Sequence, residues 1–356
     1  MAEQGSTLED PTELMTTSAV ETTQQTATGS SVTSSMSRGV DFYYYFQCAV
    51  VVIGVVGTAA NALILYAMVA SRQHKKQVLI FNQNLLDCTT CFFVVVTYVV
   101  KLCNIRLTGR SGYWLCVMFF SENFIWSPSS GSTINLAAIS IERYLKVVHS
   151  TWSKNKLRKW VIYTASACAW IFGTALTFGV TIPTSDVIDG ICYPYLFWES
   201  KEAQLAYGIG LFLLFEVTTL AIFIFCYWRI LVVIRRQAKV MAGHHGAGPS
   251  TSQARQSSKI QSNVIKTMII VSIFFAISWT PFHVLNLLMI TGGTITSHSI
   301  TIIYVAIFIP FFYISTNPFI YATKFDPVKR VLLGLIPCQK NTVQPVESIE
   351  LTPKQT

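Results

Sequence analysis

Charge is scarce in this sequence: only 12% of its residues are Asp, Glu, Lys or Arg, where a soluble domain carries about a quarter. A chain so poor in charge and 52% apolar cannot keep its whole surface in water, which excludes an ordinary soluble globule. No asparagine precedes Asn61, so N-linked glycans on the N-terminal tail are excluded, although its Ser and Thr density suits O-linked ones. The tail also lacks a basic start followed by a short apolar run, so no cleavable signal peptide is expected. Short strands of alternating polarity are missing too, which argues against a β-barrel, and no internal repeat is visible.

What the chain does have is a series of long apolar runs. Crossing the hydrocarbon core takes roughly 20 apolar residues, because it is about 30 Å thick and a helix rises about 1.5 Å per residue. Seven segments meet that length, at residues 42–69, 79–102, 113–148, 160–182, 205–234, 264–290 and 300–323. Lipid offers no hydrogen-bond partners, so each run is expected to be a helix that satisfies its own backbone. The expected fold is therefore an all-α membrane protein, a seven-transmembrane helix bundle over residues 41–324. Residues 1–40, rich in Ser, Thr, Gln and Glu, cannot bury enough surface to offset their ordering and are expected to be disordered. Residues 325–338 place Val328, Val331, Leu332 and Leu335 at helical spacing with Lys329 and Arg330 between them, the pattern of an amphipathic interfacial helix. Residues 339–356 read as a disordered tail with phosphorylatable Thr342, Ser348, Thr352 and Thr356.

Orientation follows from the basic residues, which stay on the cytoplasmic side. With the N-terminus outside, the inner loops hold Arg72, Lys75 and Lys76, then Lys154, Lys156, Arg158 and Lys159, then Arg235, Arg236, Lys239, Arg255 and Lys259. The outer side has Arg38, Lys101, Arg106, Arg110 and Lys201, balanced by Asp41, Asp186, Asp189, Glu199 and Glu202. The net charge of +9 is then a membrane-surface asymmetry, and no nucleic-acid partner is expected. The chain is expected in the plasma membrane, multi-pass, with an extracellular N-terminus.

Residues 242–258 carry Gly, Pro and Ser breakers and read as a flexible inner loop. His244 and His245 within it lack further ligands, so no metal site is expected. Cys338, just after the interfacial helix, is a candidate palmitoylation site. Of nine cysteines, Cys116 at the outer end of the third span and Cys192 in the outer loop after the fourth face an oxidising space and are expected to pair. Cys103 lies near the same surface and is a rival partner.

Polar side chains inside a membrane are rare and usually functional. Here they are Asn61 in the first span, Asp87 in the second, Glu142-Arg143-Tyr144 ending the third, Trp170 in the fourth and Tyr227 in the fifth. The sixth holds Ser278-Trp279-Thr280-Pro281 and the seventh Asn317-Pro318-Phe319-Ile320-Tyr321. In this order, one landmark per span, the chain resembles the rhodopsin-like (class A) G-protein-coupled receptors over residues 42–338.

The resemblance implies an agonist-triggered receptor without enzyme activity or cofactor, whose partners are a heterotrimeric G protein, arrestin, a receptor kinase and the lipid bilayer. It implies that Glu142 and Arg143 latch the resting state, with Tyr144 beside them, and that Arg143 later meets Tyr227, Tyr321 and the G protein as the sixth helix swings outward. Pro281 and Pro318 each remove a helical hydrogen bond and so make hinges. Trp279, with Phe275 four residues earlier on the same face, is the expected link from ligand to hinge. Asp87, Asn61 and Asn317 are expected to share a wet interior site, with Ser132 as a fourth member. Tyr313 and Ile314, one turn before Asn317, depart from the family's small polar pair, which argues against sodium at Asp87.

Other departures bear on the ligand. The fifth span has Thr219 where the family has proline, so its bulge is expected to be absent. The Cys116–Arg143 distance is two residues longer than usual, and Pro128 and Gly131 between them point to an irregularity there. Counting from Cys116 puts Asn123 on the pocket face, and counting from Arg143 puts Ile125 there. Neither is the Asp of monoamine receptors. An opsin's retinal lysine falls at Phe311, which argues against a covalent retinal receptor. Glu216 precedes Tyr227 by eleven residues, which puts both on one helix face. With His283, it either recognises a polar or cationic ligand group or pairs with that His. Trp126, Phe282, Asn286, Tyr304 and Phe308 complete the expected pocket.

A basic peptide, drawn by the outer acidic residues, and a small amphiphile both fit this cavity, and high ligand-free activity is compatible with the altered third and fifth spans. The alternative is a seven-helix transporter or channel. It would need inverted repeats, helices broken at midplane and a polar path, and none is evident.

Overall fold

The computed structural model describes residues 31–103, 105–243, 252–292, 297–324 and 326–335. Expectations for residues 1–30, His244, His245, Cys338, Thr342, Ser348, Thr352 and Thr356 lie outside the described residues.

Seven helical spans form the bundle: Ser31–Ala70, Val78–Leu102, an interrupted third over 109–148, Lys159–Thr184, a fifth over 201–243, Ser252–Ile290 and Ser297–Lys324. The first helix starts eleven residues before Phe42, so residues 31–40, expected in the disordered tail, are helical. Once a helix is nucleated each further residue adds a hydrogen bond, and no proline stops it there. Likewise the fifth helix runs to Gly243 and the sixth starts at Ser252, so residues 252–258, expected as loop, are helical. Asp326–Leu335 is a helix, within residues 325–338 where an interfacial one is expected, with Val328 buried in the bundle's main apolar cluster and Val331 and Leu332 packed against it.

Among the described residues, six helices are long and apolar enough to cross a membrane by composition. The third is not one of them, and its position explains why. Ser127, Ser129, Ser132, Thr133 and Asn135 lower its hydropathy, yet all are buried against neighbouring helices. A helix at the centre of a bundle meets protein, not lipid, and can afford polar faces there.

The two extra residues of the third span do not fall at Pro128, where the sequence points. The helix Asn123–Val148 runs through that proline. The irregularity lies at its outer end, where Gly109–Leu115 passes into a π-helical stretch, Cys116–Phe120, and breaks at Glu122 in a left-handed conformation, φ 61°. The wide turn frees the Val117 carbonyl, which accepts from Ser121 Oγ and, at 2.7 Å, from Asn123 Nδ2. Local polar side chains thus satisfy what the break exposes.

The fifth span also departs from expectation. It has a π-helical stretch, Phe212–Val217, between Lys201–Leu211 and Thr218–Gly243. The bulge is present without proline, and Thr218 Oγ1 donates to the Leu213 carbonyl, five residues back, at 2.9 Å. The same carbonyl accepts the Thr218 backbone N–H, so amide and hydroxyl of one residue both hold the widened turn.

The outer loop before the fifth span folds as a hairpin of β1 (Asp186–Ile188) and β2 (Ile191–Tyr193), antiparallel, with Val187 opposite Cys192. Asp189 and Gly190 turn it, both at positive φ, as an Asp-Gly pair favours. The Cys116–Cys192 disulfide joins the hairpin to the third span, and Cys103 is free and exposed.

The third and fourth spans touch backbone to backbone. A Cβ at Gly173 would lie 2.5 Å from the Ser127 carbonyl oxygen, and one at Gly131 would lie 2.9 Å from that of Ala169. Small residues permit such approach inside membranes. Gly173→Val should therefore lower thermal stability by about 1–3 kcal/mol through overpacking. Gly179→Val, on the same helix with open space around it, should change it by less than about 0.5 kcal/mol. Thermal denaturation of the two purified variants checks this pair.

Candidate functional site

The candidate site has three storeys along the bundle axis. The outer one is aromatic. Trp126 on the third span stacks on Phe282 of the sixth (centroids 5.1 Å apart, planes at 16°) and meets Trp279 at 6.5 Å and Phe311 of the seventh at 6.0 Å. Phe275 and His283 lie on either side of Trp279, stacked at 6.0 and 5.6 Å. Ile125 is fully buried in a second cluster with Tyr98 and Phe311, against which Tyr304 and Phe308 pack. Asn286 is half-buried farther along the sixth helix.

This geometry assigns Asn123 and Ile125 different places. Asn123 is occupied within the framework: it donates to Val117 and accepts from Thr181 Oγ1 of the fourth span at 3.0 Å. Ile125 continues the register of Arg143 and faces the aromatic cluster.

Glu216, in the fifth span's π stretch, is 2% exposed. It accepts a hydrogen bond at Oε1 from Thr280, the residue before Pro281, while Oε2 has no partner. No Glu216–His283 ion pair occurs among the described residues, because the carboxylate meets Thr280 and the imidazole lies on Trp279. The pairing alternative for these two is thus not the one adopted. At the outer rim, Lys101 Nζ sits 2.5 Å from Glu122 Oε1 and 5.0 Å from the Tyr98 ring centre.

The middle storey centres on Asp87, which is fully buried. Its Oδ1 accepts from Ser132 Oγ at 2.7 Å and Gln83 Nε2 at 3.3 Å, and its Oδ2 accepts from Asn317 Nδ2 at 3.0 Å. Asn61 is not in this set. Its Nδ2 donates to the carbonyls of Gly57 at 3.0 Å and Ile314 at 3.5 Å, which fastens the first span to the seventh. Sequence reasoning missed Gln83, although its place one helical turn before Asp87 puts both on one face.

The inner storey holds Arg143, 6% exposed. Its guanidinium lies 3.2 Å from Glu142 Oε2 and donates through Nη2 to Gln77 Oε1 at the entry to the second span. Glu142 also receives Lys146 at 2.6 Å. Tyr144 packs on His149 and Phe225. Tyr227 OH joins three spans, meeting Ser140 Oγ of the third at 2.9 Å and accepting from Ser272 Oγ of the sixth at 3.3 Å. The Tyr321 side chain lies outside the described residues. Gln77 was also missed. A half-buried glutamine ahead of a helix gives no signal until the fold brings Arg143 to it.

A membrane bundle with a buried carboxylate at its centre and a held arginine at its inner mouth defines the class: a seven-helix receptor. The chain belongs to the 7 transmembrane receptor (rhodopsin family), which it matches over residues 60–321, and is thus a rhodopsin-like G-protein-coupled receptor rather than an enzyme. It is 26% identical to neuropeptide FF receptor 1 of Rattus norvegicus over 82% of this chain and 72% of that one. It is 24% identical to somatostatin receptor type 3 of Homo sapiens over 84% and 71% respectively. Melanopsin-B of Gadus morhua is 23% identical over 88% of this chain, which spans about half (51%) of the melanopsin's length. At the place of an opsin's retinal lysine this chain has Phe311, buried among aromatic rings. Lys324, the last residue of the seventh helix, is the only lysine that helix contains.

If Gln77 helps hold Arg143, removing it should release the arginine. A hydrogen bond to a charged group contributes about 1.5–3 kcal/mol at most and often nearer 1. Gln77→Ala should then raise ligand-free G-protein dissociation by about fivefold at equal surface expression. A cell-based dissociation assay reads this directly, and an unchanged baseline would leave Gln77 without that role.

Proposed function

We propose that this receptor passes the binding of an extracellular peptide to a heterotrimeric G protein by an outward swing of the sixth helix about Pro281. The observation that carries this reading is the half-satisfied carboxylate of Glu216. A buried carboxylate oxygen without a donor is strongly unfavourable, and an ammonium, guanidinium or amide N–H from a ligand would satisfy it. Its other oxygen already holds Thr280, adjacent to the proline hinge. A donor arriving at Glu216 therefore acts on the bond that fastens the fifth helix to the sixth.

A ligand that prefers the open inner face shifts the population toward it by its difference in affinity. Two relatives are named for peptides, neuropeptide FF and somatostatin, and the acidic Asp186, Asp189, Glu199 and Glu202 would draw a basic one. The pocket walls are Ile125, Trp126, Trp279, Phe282, His283, Asn286, Tyr304, Phe308 and Phe311. That aromatic chamber also favours a second reading, a small amphiphile. The N-terminus and hairpin lie outside the cell at the plasma membrane, and arrestin and a receptor kinase act at the inner face. The irregular outer turns of the third and fifth spans favour high ligand-free activity, and Glu142 and Gln77 hold Arg143 against it.

The test is G-protein dissociation in cells expressing the chain, first without ligand and then against basic peptides and amphiphilic lipids, with ion flux followed in parallel. A signal above the untransfected baseline that rises further with a peptide is expected. Glu216→Gln should lower that peptide's potency about tenfold, equivalent to roughly 1.4 kcal/mol. Unchanged potency and unchanged baseline would remove Glu216 from the pocket. Solute flux with no G-protein response to any stimulus would restore the transporter alternative.

A further inference from the structure

The rhodopsin-like resemblance implies a sodium ion beside Asp87, and the residues present do not fit one. A hard cation needs several oxygens whose lone pairs face it. Here Tyr313 and Ile314, both about 1% exposed, stand where the family has small polar side chains. The acid and the hydroxyl are already engaged: Asp87 accepts from Ser132, Gln83 and Asn317, and Ser132 Oγ accepts from Gln83 Nε2, which leaves Asn317 Oδ1 as one unpartnered oxygen where a cation needs several.

We propose that the Gln83 carboxamide takes the cation's place, its NH2 group bridging Asp87 and Ser132, and that a relay of side chains starting at Trp170 fixes the amide in that orientation. The relay follows from donor and acceptor inventories. An indole N–H can only donate, and Trp170 Nε1 donates to Asn82 Oδ1 at 3.0 Å. That turns the Asn82 amide, so its Nδ2 donates to Asn135 Oδ1 at 2.9 Å. The Asn135 amide then presents its Nδ2 to two acceptors, the Leu79 carbonyl and Gln83 Oε1, each at 2.9 Å. A carbonyl can only accept, so Leu79 fixes the Asn135 orientation a second time. With its oxygen occupied, Gln83 has only N–H groups left to face Asp87.

Every amide in the relay is buried: Gln83 and Asn135 fully, Asn82 at 7% exposed. Reversing any one of them would place two acceptors or two donors in contact, leaving buried groups unsatisfied. The direction set at the fourth span is therefore transmitted through the second and third to Asp87. An amide donor, unlike an ion, cannot leave when the bath composition changes. The Asp87 site of this receptor is thus closed to sodium and insensitive to it.

Thermal melting of the purified receptor in sodium chloride and in N-methyl-D-glucamine chloride of equal ionic strength tests this without any ligand. The wild type should melt at the same temperature in both. Gln83→Leu, which removes the bridging amide and frees two oxygens, should gain a saturable, sodium-specific rise of about 2–4 °C. Trp170→Phe, which removes the directing donor but keeps the ring, should gain a smaller one. A sodium-specific rise in the wild type overturns the proposal, as does a folded Gln83→Leu with no sodium response. Should Gln83→Leu not fold, sodium-23 NMR decides on stable proteins. Equal line widths for wild type and Asp87→Asn are expected, and extra saturable broadening in the wild type alone overturns the proposal.

Discussion

A carboxylate sealed from water must be met by donors, and much of the bundle's interior is arranged around that requirement at Asp87. The second span supplies the acid and Gln83, the third Ser132, and the seventh Asn317. An unmatched charge at this depth would be strongly unfavourable, so these three helices keep their mutual register for the acid to stay satisfied. Apolar packing fills the space around the polar axis, with Leu79, Ile139 and Ile314 in one continuous cluster. Packing alone would allow helices to slide or rotate, since lipid tails are as apolar as leucine. The buried polar contacts specify which arrangement is reached.

Two irregular stretches give the outer half its shape. In the third span the π-helical stretch and the left-handed Glu122 absorb the two extra residues before the helix settles into the phase of Arg143. In the fifth span a similar stretch turns Glu216 inward. Both lie at or beside candidate ligand residues, as such widened turns often do. The adjoining carbonyls are taken by Ser121, Asn123 and Thr218. The irregularities are therefore built into the local sequence and do not depend on proline.

Most of the fold was legible because its signals are local in sequence. Apolar runs set the spans, and the landmarks Asn61, Asp87, Arg143, Trp170, Pro281 and Asn317 fixed their order. The disulfide followed from topology, with Cys103 correctly left as the less favoured partner. Helix breaks were less legible. Pro128 drew attention because proline usually marks them, whereas the actual break is held by Ser121 and Asn123, whose roles emerge only once Val117 loses its helical partner. The fifth-span bulge was missed for the converse reason, since a threonine five residues from a carbonyl is not a recognised signal. Helix ends at Ser31 and Ser252 ran past the polar boundaries because composition locates the lipid, not the end of the helix. Gln77 and Glu216's bond to Thr280 required knowing which helices are neighbours, and Asn61's attachment to the seventh span likewise needed the fold.

Among the described residues, two side-chain ties between the fifth and sixth helices have a common polarity. Thr280 donates to Glu216 and Ser272 donates to Tyr227, so in both bonds the hydrogen comes from a hydroxyl on the sixth helix. Ser140 gives its own hydrogen to the Leu136 carbonyl, which leaves Tyr227 as donor toward the third helix. When the two helices part, Ser272 and Thr280 can rotate and bond to carbonyls a turn back on their own helix, while Tyr227 keeps its bond to the third. The seam can therefore unzip without stranding a hydrogen on the helix that departs, and the acceptors left bare, Glu216 Oε1 and the Tyr227 oxygen, both stay on the fifth helix.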